Sequence, residues 1–275
     1  MLPLIVLPSL LFAACSSKPV PEKPAPKLPT SIEEAVAHPL RSENMRARDT
    51  FRHPVATLEF FGLKNDMTVV EISPGGGWYT QILAPFLAEK GQYIAAAVPS
   101  EAGDYMKNLN EQRNAWLATW PEVASKVKET SFMPPQQMEI APEGSADLVL
   151  TFRNVHNWMS SGSEQAAFKS FFKALKPGGT LGVVEHRAPT RQKFDPKAKS
   201  GYVREQDVIR LAQRAGFKLV EKSEINANPK DTKDHPEGVW TLPPSLRLKD
   251  KDREKYLAIG ESDRMTLKFV KPVSK

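Results

Sequence analysis

Only one of the 275 residues is cysteine, Cys15, so no disulfide can form within the chain and its stability must come from a packed core. No apolar run is long enough to cross a bilayer as a helix; the longest, residues 1–14, falls short of the ~20 residues required. Gly-Lys-Ser/Thr is missing after the one glycine loop, Gly-x-Ser-x-Gly is missing throughout, and no two histidines or acids stand at metal-ligand spacing. These absences argue against P-loop chemistry, serine hydrolysis and a sequence-local metal centre. There is no internal repeat and no basic run, since 38 Lys and Arg are scattered among 32 acids; the net charge of +6 therefore reads as solvated surface rather than a nucleic-acid interface.

What is present suits one large domain with short extensions: 40% of residues are hydrophobic and 25% charged. The opening MLPLIVLPSLLFAAC ends in small residues before Cys15 and resembles the lipobox of bacterial lipoproteins, in which the cysteine is acylated. Two departures are Phe12, where leucine is usual, and the lack of a positively charged start. Residues 16–30, SSKPVPEKPAPKLPT, cannot bury a core and favour extended polyproline II. The expected organisation is a lipoprotein-type signal over 1–15, a tether over 16–30 and a single domain over 31–275. Ser16 after the cysteine suggests a periplasmic, outer-membrane-anchored protein that touches membrane only through its lipid.

From Ser31 onward helices and strands alternate. A Ser-x-x-Glu capping box, Ser31 to Glu34, opens a helix reaching about Arg48 and interrupted near Pro39. Strands are expected at 67–72, 92–98, 126–132, 146–152, 180–186, 217–225 and 264–271. Helices are expected at 78–89, 101–118, 163–175 and 203–215. Near-continuous apolar strands separated by helices imply a mostly parallel sheet covered on both faces. The polar, proline-bearing insert 226–262 is too long for a tight hairpin and is expected to cover the acceptor side of a pocket or to lap the surface.

Three motifs carry chemistry. First, "VVEISPGGGWYT" runs a strand through Glu71 into Pro74, Gly75, Gly76 and Gly77. Side-chain-free backbone beside helix amides suits a small ligand, and equally a bare strand-to-helix turn. Second, "DLVLTFRNVHNW", from Asp147, is a buried strand ending in polar and aromatic residues; third, "LKPGGTL", from Leu175, is a helix stop leading into a strand. In this order they resemble the class I S-adenosylmethionine-dependent methyltransferases over about residues 50–225 plus the last strand. Together with the lipobox, the pattern is similar to the exported predicted methyltransferases of Gram-negative bacteria.

The resemblance implies a Rossmann-like, doubly wound, seven-stranded α/β sheet with an antiparallel last strand, here with an N-terminal helical extension. It also implies S-adenosylmethionine as cofactor and methyl transfer to a small or envelope-associated molecule. Glu71, Pro74, Gly75, Gly76, Gly77 and Asn154 would hold the cofactor. His156, Arg153 and His186 are candidate catalytic residues, with a packing or capping role open for each histidine. Trp158, Tyr202 and Trp240 would line the acceptor site; Trp78 and Tyr79 could wall the cavity or fill core. The family's ribose-binding acid is missing, because Ala97 stands at the end of the second strand, with Glu101 or Asp104 as possible substitutes. The alternatives are a non-catalytic periplasmic ligand-binding lipoprotein and, more distantly, an NAD-dependent oxidoreductase, which Thr80 and Ala97 disfavour.

Overall fold

The computed structural model describes residues 26–273, so Cys15, the signal and most of the 16–30 tether lie outside the described residues. The N-terminal extension is four short helices: α1 (Ile32–Ala37), α2 (Glu43–Arg46), α3 (Asp49–Arg52) and α4 (Pro54–Phe61). Ser31 caps α1 as expected, its side chain accepting from the Glu34 amide at 3.2 Å, while the Glu34 carboxylate turns back to the Thr30 amide at 2.7 Å. The interruption expected near Pro39 is present: α1 stops at Ala37 because His38 precedes Pro39, which disfavours helical backbone, and His38 adopts ψ 131°. His53 closes α3 in a left-handed conformation and Pro54 starts α4 at a position that needs no amide hydrogen.

The main body follows as β1 (Thr68–Ile72), α5 (Thr80–Leu87), β2 (Gln92–Ala97), α6 (Asp104–Ala118), α7 (Pro121–Ala124) and β3 (Lys128–Ser131). Then come β4 (Ala146–Phe152), α8 (Val155–Ser161), α9 (Glu164–Ala174), β5 (Leu175–His186), α10 (Glu205–Ala215), β6 (Lys218–Ser223), α11 (Arg253–Ile259) and β7 (Arg264–Val270). The seven strands form one sheet in the order β3-β2-β1-β4-β5-β7-β6, with β7 antiparallel to both neighbours and every other pairing parallel. This is the expected doubly wound α/β architecture. Central strands are apolar on both faces because helices cover both. One core joins the sheet to α1, α4 and α5, the other to α8, α9 and α10.

Helix α5 is buried at all eight positions because the N-terminal helices lie over its outer side. Two indole N–H groups fasten that extension, Trp78 to the Met45 carbonyl and Trp116 to the Leu40 carbonyl, both at 2.8 Å. Strand β5 begins earlier than expected, at Leu175: the Leu-Lys-Pro-Gly-Gly stretch is extended and absorbs a register shift opposite Ala146 and Leu148. Helices α4 and α8 lie where no helix was expected, and the 226–262 insert contains only a short 3-10 turn at Gly238–Thr241 and α11.

Candidate functional site

The parallel strands β1, β2, β4 and β5 end on one edge of the sheet, and β7, running the opposite way, begins there. Such an edge is where open α/β sheets bind ligands. The chain leaves β1 through Ser73 (φ 50°), Pro74, Gly75 (φ 56°), Gly76 and Gly77 (φ 86°). Two of these left-handed positions are glycine, as sterics prefer, and Ser73 is a non-glycine residue held there. The Gly75 and Gly76 amides have no acceptor among the described residues. Side chains of α6 approach closely: a Cβ on Gly76 would stand 3.0 Å from Gln112 Oε1, and one on Gly77 3.1 Å from Arg113 Cγ.

Beneath this bend Glu71 is buried and accepts from the Tyr93 hydroxyl at 2.6 Å and the Thr80 hydroxyl at 3.2 Å. Burial pushes its carboxyl up to about 7, against the opposing pull of these donors and of Arg113 and Arg153. Its carboxyl group ties the end of β1 to β2 and to the start of α5, on either side of the bend. Asn154 likewise joins strand ends, donating to the Ile72 carbonyl at 3.0 Å. At the end of β2, Ala97 is buried beside Ser131 of β3; Glu101 and Asp104 are exposed at the start of the next helical stretch.

Residues far apart in sequence meet at the ends of β4 and β5. His156, on the first turn of α8, places Nδ1 3.0 Å from Glu185 Oε1, and the same carboxylate accepts from the His156 and His186 amides. In the tautomer with hydrogen on Nδ1 the ring donates to Glu185 and Nε2 is an acceptor. His186 lies 5.3 Å from His156, ring centre to ring centre, and its Nδ1 meets the Ser262 hydroxyl. Burial first, then His156 and the charges of Arg153, Arg264 and Arg52, hold the His186 imidazole well below its ordinary range, leaving it neutral at pH 7. His156, Glu185 and His186 group their ligand atoms within 4.8 Å, a cluster that sequence spacing did not show. The carboxylate is already engaged by three donors and arginines stand nearby, a setting that opposes a divalent cation.

Arg153 follows β4 with φ 62°, its amide bonded to the Val184 carbonyl at 2.7 Å. Around it lie Arg52, Arg264 and Arg48, which converge on Glu261 at 3.4, 3.2 and 2.6 Å. Glu261, Ser262, Asp263 and Arg264 are four consecutive buried polar residues leading into β7, and sequence reading missed them. The available signal was topological: a polar run entering an antiparallel strand falls at the carboxyl edge of its parallel neighbours. Tyr79 stacks on Phe152 at 3.6 Å beside these arginines, and burial pushes its hydroxyl up to about 12.

The insert returns to this edge. Trp240 lies 6.0 Å from the His156 ring with Arg247 over its own ring at 4.7 Å, and Tyr202 lies 6.4 Å from His186. Asp231, buried, accepts from the Tyr202 hydroxyl, the His235 ring and the amides of Lys233 and Asp263. Trp158 requires a correction as an acceptor-site residue. With Val155 and Met159 it forms the inward stripe of α8, and its indole packs edge-on against Phe132 and Phe171 in the core. Two cavities, of about 330 and 280 Å³, open beyond β5, and the glycine bend lines neither.

No family model matches the chain. No curated protein matches it either. Solved structures do. An S-adenosylmethionine-dependent methyltransferase from Aquifex aeolicus is 20% identical, with 71% of this chain and 93% of that one covered at a TM-score of 0.50. One from Methanosarcina mazei is 12% identical over 79% and 97%, at 0.52. The (4+2)-cyclase SpnF is 14% identical over 88% and 93%, at 0.53. Strand order, glycine bend and these similarities together establish that the chain has the fold of the class I S-adenosylmethionine-dependent methyltransferases.

Proposed function

We propose that the protein transfers a methyl group from S-adenosylmethionine to a protonated heteroatom of a small molecule. The observation that carries this reading is the pairing, on one sheet edge, of a glycine bend with two free amides and a histidine whose Nδ1 is fixed by a buried carboxylate. When bound, the cofactor supplies a methyl group activated on a sulfonium. Gly75, Gly76 and Gly77 would hold it, with the bend shaped by Glu71 and Pro74. His156, with Glu185 fixing its tautomer, accepts the acceptor's proton at Nε2. Neutral His186 and Trp240 flank that nitrogen's ring and help exclude water.

Calorimetry of the full chain with S-adenosylmethionine and S-adenosylhomocysteine tests this. Micromolar binding by the wild type, lost in Gly76→Val, is the expected result; no heat from a folded protein overturns it. Ala97, in place of a ribose-binding acid, favours the second reading, a ligand-binding lipoprotein without catalysis. We also propose that Cys15 is acylated and that the protein is anchored at the periplasmic side of the outer membrane, which mass spectrometry of the membrane fraction checks. Among the described residues no helix is long and apolar enough to cross a membrane.

A further inference from the structure

The arginine cluster at the sheet edge carries more positive charge than its neighbours neutralise. Arg48, Arg52 and Arg264 share one carboxylate, Glu261, and Arg153 adds a fourth cation to the same field. Arg52 is 2% exposed and stacks over Trp78 at 4.5 Å; its Nη1 is buried without any hydrogen-bond partner. The Arg153 guanidinium makes no hydrogen bond among the described residues, although its backbone is held left-handed, a conformation that a bulky side chain adopts only under tertiary constraint. Arg264 is spent differently, donating to the Phe51 and Ser262 carbonyls and to Glu261. The other nearby acids are engaged: Glu185 by His156, Asp263 by Arg187 and Lys233, and Glu71 by Tyr93 and Thr80.

Three guanidinium groups drawing on one carboxylate leave a buried charge under-compensated, and leaving a buried donor unsatisfied adds to the cost. Arg52, 2% exposed with one donor unsatisfied, and half-buried Arg153, whose guanidinium has no protein partner among the described residues, share one field at a ligand-binding edge, and an anion that arrives with the ligand explains both. The guanidinium fork matches the two oxygens of a carboxylate or phosphate. We infer that Arg52 and Arg153 bind an anionic group, carboxylate or phosphate, carried by the methyl acceptor, so the substrate is a small organic acid or phosphate ester. The assignment to the acceptor rests on the methyltransferase reading; the anion site itself does not.

The test titrates benzoate and inorganic phosphate into the full chain by thermal shift and calorimetry, with and without saturating S-adenosylhomocysteine. The expected result is that one or both anions raise Tm, that S-adenosylhomocysteine leaves the effect intact, and that Arg153→Gln weakens anion binding at least tenfold. Arg52→Gln, read the same way, covers the case in which the first variant does not fold. Absence of a shift in the wild type, or an equal shift in the folded variants, overturns the site. If S-adenosylhomocysteine abolishes the anion effect but 5′-methylthioadenosine, which lacks the amino-acid carboxylate, does not, the anion belongs to the cofactor and the acceptor assignment falls. If the anions bind through Arg153 but S-adenosylhomocysteine does not bind at all, the anion site stands and the methyltransferase reading fails.

Discussion

Replacing Glu261 by glutamine removes the one negative charge on which Arg48, Arg52 and Arg264 converge. Burial alone would raise this carboxyl, but Arg52, Arg264, Arg48 and Arg153 outweigh it and hold it at about 2, against an ordinary value of 4.5. At 1.36 kcal/mol per pH unit that depression corresponds to about 3 kcal/mol at pH 7, within the ~3–5 kcal/mol typical for breaking a buried pair from one side. The sign follows from linkage. A carboxyl depressed in the folded state stabilises above its unfolded pKa and loses that contribution as pH falls towards the folded value. The difference in unfolding free energy between wild type and Glu261→Gln should therefore be about 3 kcal/mol at pH 7 and about 2 kcal/mol at pH 3.5, shrinking further towards pH 2. Urea denaturation followed by tryptophan fluorescence at several pH values measures it. A gap below about 1 kcal/mol at pH 7, or one that stays constant down to pH 3.5, would refute the claim that this carboxylate compensates the arginines.

Glu71 runs the other way: raised to about 7 by burial, it favours folding below pH 4.5 and loses that contribution as pH rises through 7, so Glu71→Gln should melt at or above wild type at pH 8. Thermal melts from pH 5 to 8 check this, and a variant that becomes less stable than wild type as pH rises would contradict it. Ala97→Asp restores an acceptor for two ribose hydroxyls and should tighten S-adenosylhomocysteine roughly ten- to a hundredfold by calorimetry. Gly238 has φ 56°, and a Cβ there would stand 2.1 Å from the Ser200 carbonyl oxygen. Gly238→Ala should accordingly loosen the insert, seen as faster limited proteolysis within 226–262 at nearly unchanged global stability.

The sheet was readable because its strands are buried on both faces: Ala146–Phe152 is apolar apart from Asp147 and Thr151, and its boundaries follow from composition. The glycine bend was equally plain. Helix α8 was hidden because Arg153 and Asn154 read as a polar strand end, although the chain turns at once into a helix whose inward residues include Trp158. That is why Trp158 lies in the core. His156 and Glu185 are 29 residues apart and meet only because β4 and β5 pair in parallel with Phe152 opposite Val184. Local sequence carries no trace of such register. The arginine cluster draws on α3, the end of β4 and the start of β7, so its charge imbalance emerges only once three distant segments are placed together.

The knot of hydrogen bonds at Asp231 bears on how traffic reaches His156. The Asp231 carboxylate folds the insert on itself through Lys233 and His235 and ties it to Tyr202 and to the Asp263 amide at the entry to β7, so Trp240 hangs from a fixed eave rather than a swinging door. Whatever reaches the histidine therefore passes beside an insert that is fastened at the approach to β7.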